Sequence, residues 1–200
     1  MRPSAANSDK LVSKFGVNRV VGTGLLLVTL ALAIFSQVSI DTPYIILALM
    51  FWFLGLGMGL TMAPSTTVVM DAIPEDKAGV GSATNDASRE VGGALGIAIG
   101  GSALNELYQR SIVIPDGLGH FSSEINNSFP TAIRIGQKLK MEGNPAGEIL
   151  IENARFAFIE GMQASSLIAG FIALCASIFA YRMMPKKSII SEDKQYLEEE

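Results

Sequence analysis

Val20 to Ile40 is a run of 21 residues whose polar members are limited to threonine, serine and one glutamine, and Tyr44 to Met70 continues for 27 residues without a charge. Runs of about 20 apolar residues match the length needed to cross roughly 30 Å of hydrocarbon. A third uncharged stretch, Val91 to Leu104, has 14 residues, and a fourth, Phe156 to Tyr181, carries Glu160 as its one charge. A soluble core has no room for several helices without a polar face, and the first run is too long and too late in the chain for a cleaved leader. The pattern predicts an all-α membrane protein with four transmembrane helices, at about 20–40, 44–70, 80–107 and 156–181.

The rest of the chain is polar. Residues 1–19 form a lead-in, 108–155 a long loop punctuated by Pro115, Pro130 and Pro145, and 184–200 an acidic tail within a chain of net charge −4. Composition agrees with insertion: 49% of residues are apolar and 17% charged, against about a quarter charged in ordinary soluble domains. Lys and Arg collect on the cytoplasmic side of membrane proteins. Ten of the 15 fall before the first span, between the second and third, or after the fourth, so both termini are expected in the cytoplasm of a multi-pass protein of the plasma or inner membrane. The long loop is then outside. Ile125, Phe129, Ile133 and Gly136 suggest one short amphipathic helix in it, lying on the membrane or, the preferred reading, forming part of a solvated cap.

Within the third span Thr84, Ser88, Gly92, Gly96 and Gly100 recur every four residues, a stripe of small side chains along about 24 Å of helix. Such stripes let neighbouring backbones approach in a membrane. Gly55, Gly57 and Gly59 suggest the same in the second span, and Gly55, Gly59, Gly92, Gly96 and Gly100 are the expected packing residues. The polar half of the third span reads as its cytoplasmic end. Ile73-Pro74 breaks the chain, Glu75 and Asp76 suit a helix start, and Asp86, Arg89 and Glu90 follow at spacings that allow ion pairs on one face.

The order "FLGLGMGLTMAPSTTVVMDAIPEDKAGVGSATNDASREVGGALGIAIGGS" resembles the late-helix signature of the major facilitator superfamily, in particular its fourteen-helix drug:proton antiporter branch. The resemblance rests on the glycines at 55, 57 and 59 with the following Pro64, the "IPEDKAGVGSATN" turn, and "REVGGALGIAIGGS". "KFGVNR", Lys14 to Arg19, is similar to the basic loop before a helix in such proteins, with Ser13 where an acid is common. The resemblance covers roughly Leu11 to Tyr181 and implies the last four helices of a fourteen-helix transporter. By that likeness the chain is the C-terminal portion of a proton-coupled multidrug or metabolite exporter, lacking the preceding helices and not transporting alone. The alternative is a small four-span subunit without its own pathway.

The implied partners are lipid, the missing N-terminal helices, and a small amphipathic or cationic substrate exchanged for protons. Nucleic acid is not among them. Trp52 is a candidate pathway aromatic, although packing is the plainer reading, and Met50, Met58, Met62 and Met70 share that helix. Glu160, Asp86 and Arg89 are candidate pathway or proton-linked groups because ionisable residues within spans are functional candidates by default. Pairing at the interface is the preferred reading for Asp86 and Arg89, and Glu160 has Arg155 nearby. No catalytic, cofactor or metal residues are assigned: there is one His, one Cys, no phosphate loop and no nucleophile elbow. An enzyme is not expected.

Overall fold

The computed structural model describes Val12 and residues 14–185. The remainder of the lead-in and the acidic tail, with Arg2, Lys10, Lys186, Lys187 and Lys194, lie outside the described residues. Among the described residues the helices with defined bounds are, in order, α1 (Val17–Phe35), α2 (Tyr44–Asp71), α3 (Ala78–Ser111), α4 (Ser122–Asn127), α5 (Phe129–Met141) and α6 (Ala146–Met183). Short 3-10 turns at Glu75–Lys77 and Gly119–Phe121 precede α3 and α4. Among the described residues there is no strand.

Three of these helices, α1, α2 and α6, are long and apolar enough to cross a membrane by length and composition. At 34 residues, α3 has the length, but its first half carries Asp86, Arg89 and Glu90 and dilutes the apolar stretch. Helix boundaries also differ from the expected spans. α1 stops at Phe35 because Ser36–Thr42 turns back, with the Thr42 hydroxyl accepting from Ser39 N–H at 2.7 Å. Pro43 then caps α2. α2 continues through Pro64 and ends just before Ile73-Pro74, where the residue preceding proline is pushed out of the helical region.

The largest correction concerns α6, which begins at Ala146 rather than near Phe156. Its first turns lie outside the expected span and form one wall of a cap. Residues 112–145 are folded onto it, with α4 and α5 as their helices. The apolar face of α5 lies against α6, with Gly136 and Gly147 at the crossing; a Cβ on Gly136 would stand 2.9 Å from the Gly147 carbonyl oxygen. That apolar face is therefore covered by protein and does not rest on lipid. Gly143, at φ 76°, closes α5 through Asn144 N–H to Leu139 O at 2.9 Å and Gly143 N–H to Lys140 O at 3.1 Å, a pairing that needs a left-handed residue at this position.

The cap has its own core of Tyr108, Ile112, Leu118, Ile125, Ala132, Leu150, Ala154 and Ala157. Phe129 stacks on Phe158 at 4.3 Å and meets Tyr108 edge-on at 6.1 Å. The Tyr108 hydroxyl donates to the Ile125 carbonyl at 3.0 Å, and burial raises its pKa above the ordinary tyrosine value, so it remains a neutral donor at physiological pH.

α6 is the central element, packed by α1, α3 and α5, while α2 leans on α1. The α1–α6 contact is sealed by polar side chains that bond to backbone: Ser177 Oγ donates to Gly22 O at 2.9 Å, and Asn18 Nδ2 to Tyr181 O at 3.3 Å. Nearer the cap, Gln163 Nε2 reaches Val38 O at 2.8 Å. Hydrogen bonds of this kind hold helices together where lipid supplies no hydrophobic drive.

Candidate functional site

The face to consider is the one that α2 and the first two-thirds of α3 leave uncovered. In α3, positions 82–99 are exposed throughout except for half-buried Asn85. A Cβ on Gly55, Gly59, Gly92, Gly93 or Gly96 would meet nothing within 4 Å, and of the five expected packing glycines Gly100 alone has a neighbour, with Ser165 Oγ at 3.1 Å. The α3–α6 contact is confined to the far end of the stripe, where Ser165 Oγ also donates to Gly100 O at 2.9 Å and Gly161 faces the Leu104 carbonyl. Within the described residues, then, the stripe points away from the rest of the chain.

Close helix contacts occur elsewhere. Gly57 lies opposite Gly24: a Cβ on Gly57 would stand 2.6 Å from Gly24 O, and one on Gly24 2.8 Å from Gly57 O. Successive residues turn by about 100°, so Gly57 projects from nearly the opposite side of α2 to Gly55 and Gly59. Sequence reasoning grouped the three and missed that split, and it missed Gly22, where the Tyr181 ring fills the notch. The signal was present in α6, whose buried residues Gly147, Leu150, Ala154, Ala157 and Gly161 step by three and four along one face.

Of the candidate polar groups, Arg89 is the most fixed. Its Nη2 donates to Thr66 Oγ1 at 2.9 Å, tying α3 to α2, and Nη1 lies 3.9 Å from Asp86 Oδ1. The two side chains remain about half exposed or more, at 46% and 64%, so the pair is solvated rather than enclosed. Glu90 is exposed beside them. Trp52 is exposed on α2 with Phe53 edge-on at 5.3 Å. Met58 and Met62 share that exposure, whereas Met50 is buried, so the four methionines do not form one surface. Glu160 is exposed on α6, and no ion pair joins it to Arg155. It is not brought together with Asp86, Arg89 or Trp52. Among the described residues no group of three or more His, Cys, Asp and Glu side chains gathers in reach of one metal ion.

Chemically, this face offers apolar and aromatic wall, close-approach glycines and one fixed guanidinium. It suits contact with another helical surface or with an amphipathic molecule. Similarity to known proteins gives the family. The family model described as Major Facilitator Superfamily matches residues 7–114. The chain is 29% identical over 181 residues to the tetracenomycin C resistance and export protein of Streptomyces glaucescens, covering 86% of this chain and 33% of that protein. It is 22% identical over 173 residues to a multidrug efflux pump of Mycolicibacterium smegmatis, covering 84% and 33%. It is 27% identical over 169 residues to a methyl viologen resistance protein of Salmonella typhimurium, covering 84% and 34%. The chain thus spans about a third of the length of these relatives. No solved structure matches it at a significant level.

Proposed function

This chain belongs to the major facilitator superfamily, and on that footing we propose that it supplies the last four membrane helices of a proton-coupled exporter of small amphipathic or cationic compounds. Membership makes it a multi-pass membrane protein of a transporter family and not an enzyme. Export as the direction, and drugs or related metabolites as the cargo, are supported by the names of the relatives. In this reading α3 is the third of the four spans. Its 34 residues cover about 51 Å, so the apolar half crosses lipid while the half bearing Asp86, Arg89 and Glu90 reaches the cytoplasmic boundary.

The observation that carries the reading is the uncovered face of α2 and α3, with open space at Gly55, Gly59, Gly92 and Gly96. Carriers of this type enclose their site between opposed bundles that rock about it, and one bundle edge cannot close a pathway. The preceding helices of the longer transporter are the partner that would cover this face.

Reconstitution tests the proposal. Purified chain in vesicles with an imposed proton gradient is expected to move a fluorescent cationic dye no faster than empty vesicles. Co-reconstitution with the preceding helices is expected to produce gradient-dependent movement. Transport by the chain alone, or none when the inserted helices are supplied, overturns it.

Orientation has its own test. In a Cys175→Ser background, Asp41→Cys and Lys138→Cys are expected to react with an impermeant thiol reagent from outside, and Lys77→Cys is not. Asp41 and Lys138 are both exposed, as is Lys77, so the comparison reads sidedness and not burial. The reverse pattern inverts the assignment of both termini to the cytoplasm.

A further inference from the structure

The geometry points to a binding site for an anionic phospholipid in the groove where the start of α1 meets α2 and the end of α6. The groove has a volume of about 380 Å³ and is lined by Phe15, Arg19, Val20, Thr23, Leu60 and Tyr181. That volume falls within the roughly 300–1,000 Å³ of small-molecule sites. Its location follows from membership in a membrane family and from α1 being long and apolar enough to span. Arg19 stands in the first turn of α1, hence at the height of the headgroups. Thr23 lies one turn, about 6 Å, deeper. The inference is independent of the transport reading.

Charge is distributed along the groove as an amphiphile would require. Arg19 at the mouth is exposed and has no carboxylate within ion-pair reach among the described residues. Lys14 lies over the Phe15 ring at 5.5 Å from its centre, and Arg182 follows Tyr181; neither has an acid partner among the described residues. At the cap end two of the cations are paired, Arg110 with Glu106 at 2.7 Å and Lys140 with Glu148 at 2.9 Å, while Arg134, Lys138 and Arg155 have no carboxylate within ion-pair reach among the described residues. What sets the α1 end apart is the groove beside its cations, and none of the six lining residues is acidic.

Beyond the mouth the wall is apolar. The Thr23 hydroxyl is already committed to the carbonyls of Arg19 and Val20, at 2.8 and 2.9 Å, leaving its methyl for contact. Val20, Leu60 and the Tyr181 ring complete the wall, and Tyr181 is held in place by Gly22. A planar guanidinium matches two oxygens of a phosphodiester, and basic pockets between membrane helices recognise anionic headgroups. The site assigns the phosphate to Arg19, with Lys14 and Arg182 attracting the headgroup's net negative charge, and an acyl chain to the apolar depth.

Native mass spectrometry of the delipidated 200-residue chain, titrated with phosphatidylglycerol or with phosphatidylcholine of the same acyl chains, reads this directly. Phosphatidylglycerol is expected to be retained preferentially. Arg19→Gln is expected to weaken it about tenfold, the size of one lost charged hydrogen bond. Arg19→Lys should keep most of the preference, Arg110→Gln all of it, and Leu60→Trp should fill the groove and reduce both lipids. Equal retention of the two lipids, or an Arg19→Gln chain of unchanged helicity that binds phosphatidylglycerol like the parent, overturns the proposal. So does full displacement by an equal concentration of inorganic phosphate, which would make the ligand a small anion. Should Arg19→Gln fail to fold, the lysine and tryptophan variants decide: phosphatidylglycerol retention unchanged by Leu60→Trp removes the groove from the account.

Discussion

Gly57→Leu will prise α2 from α1, and the chain carrying it is expected to be lost from the membrane as folded monomer. The new Cβ alone would meet Gly24 O at 2.6 Å, Val28 Cγ2 at 2.8 Å and Val28 N at 2.9 Å. Two of those atoms are helix backbone and cannot rotate away. Overpacking typically costs about 1–3 kcal/mol, occasionally more, and a backbone-to-backbone contact with no side chain to yield belongs at the upper end. The same substitution at Gly55, Gly59 or Gly96 meets open space and is expected to leave this chain's folding unchanged. Detergent-solubilised yield and the unfolding midpoint of the four variants provide the comparison. If Gly55→Leu is the damaging change and Gly57→Leu is tolerated, the assignment of α2's faces is reversed. Under the proposed function, Gly96→Leu becomes harmful once the preceding helices are present, because the stripe then acquires a neighbour.

The second large effect is expected in the cap. Leu150 is fully buried between α6 and the α4–α5 layer, and its truncation to alanine removes atoms from a site walled by helices. Leu→Ala changes in such cores cost about 2–5 kcal/mol, enough to open a unit this small. Leu150→Ala is expected to speed protease cleavage and amide exchange across residues 112–145 while the amides of α1 and α2 keep their protection. The Lys140–Glu148 pair nearby will not prevent it, since both side chains are more than half exposed and water screens such a pair. Uniform loss of protection through α1 and α2 would show that the cap is not a separate cooperative unit.

The apolar runs beginning at Val20, Tyr44 and Phe156 marked three membrane-competent helices because the length of an apolar run is a local property of the chain. The same holds for the break at Ile73-Pro74 and for the family resemblance, which sit in consecutive residues. The third run, Val91 to Leu104, was less clear for an equally local reason: it is short, and the charges preceding it share its helix. A cap was the preferred reading of the loop, but its core was not legible, because Ile125, Phe129, Tyr108 and Leu150 are scattered over more than forty residues and become one core only when α5 folds back along α6. Nor did the spacing of the charged candidates disclose that Arg89 bonds Thr66 on α2, 23 residues away.

Composition and periodicity alone determined that this protein is helical, membrane-embedded and built with small residues for close approach, since hydrophobic length and side-chain volume are read without knowing any neighbour. Only the tertiary structure decided which of those small residues make contact. Gly24 and Gly57 lock two backbones together, while Gly55, Gly59, Gly92 and Gly96 are left facing outward. The physical reason is that a glycine's spacing along a helix sets its angle around the axis, whereas the occupant of that side depends on where every other helix lies.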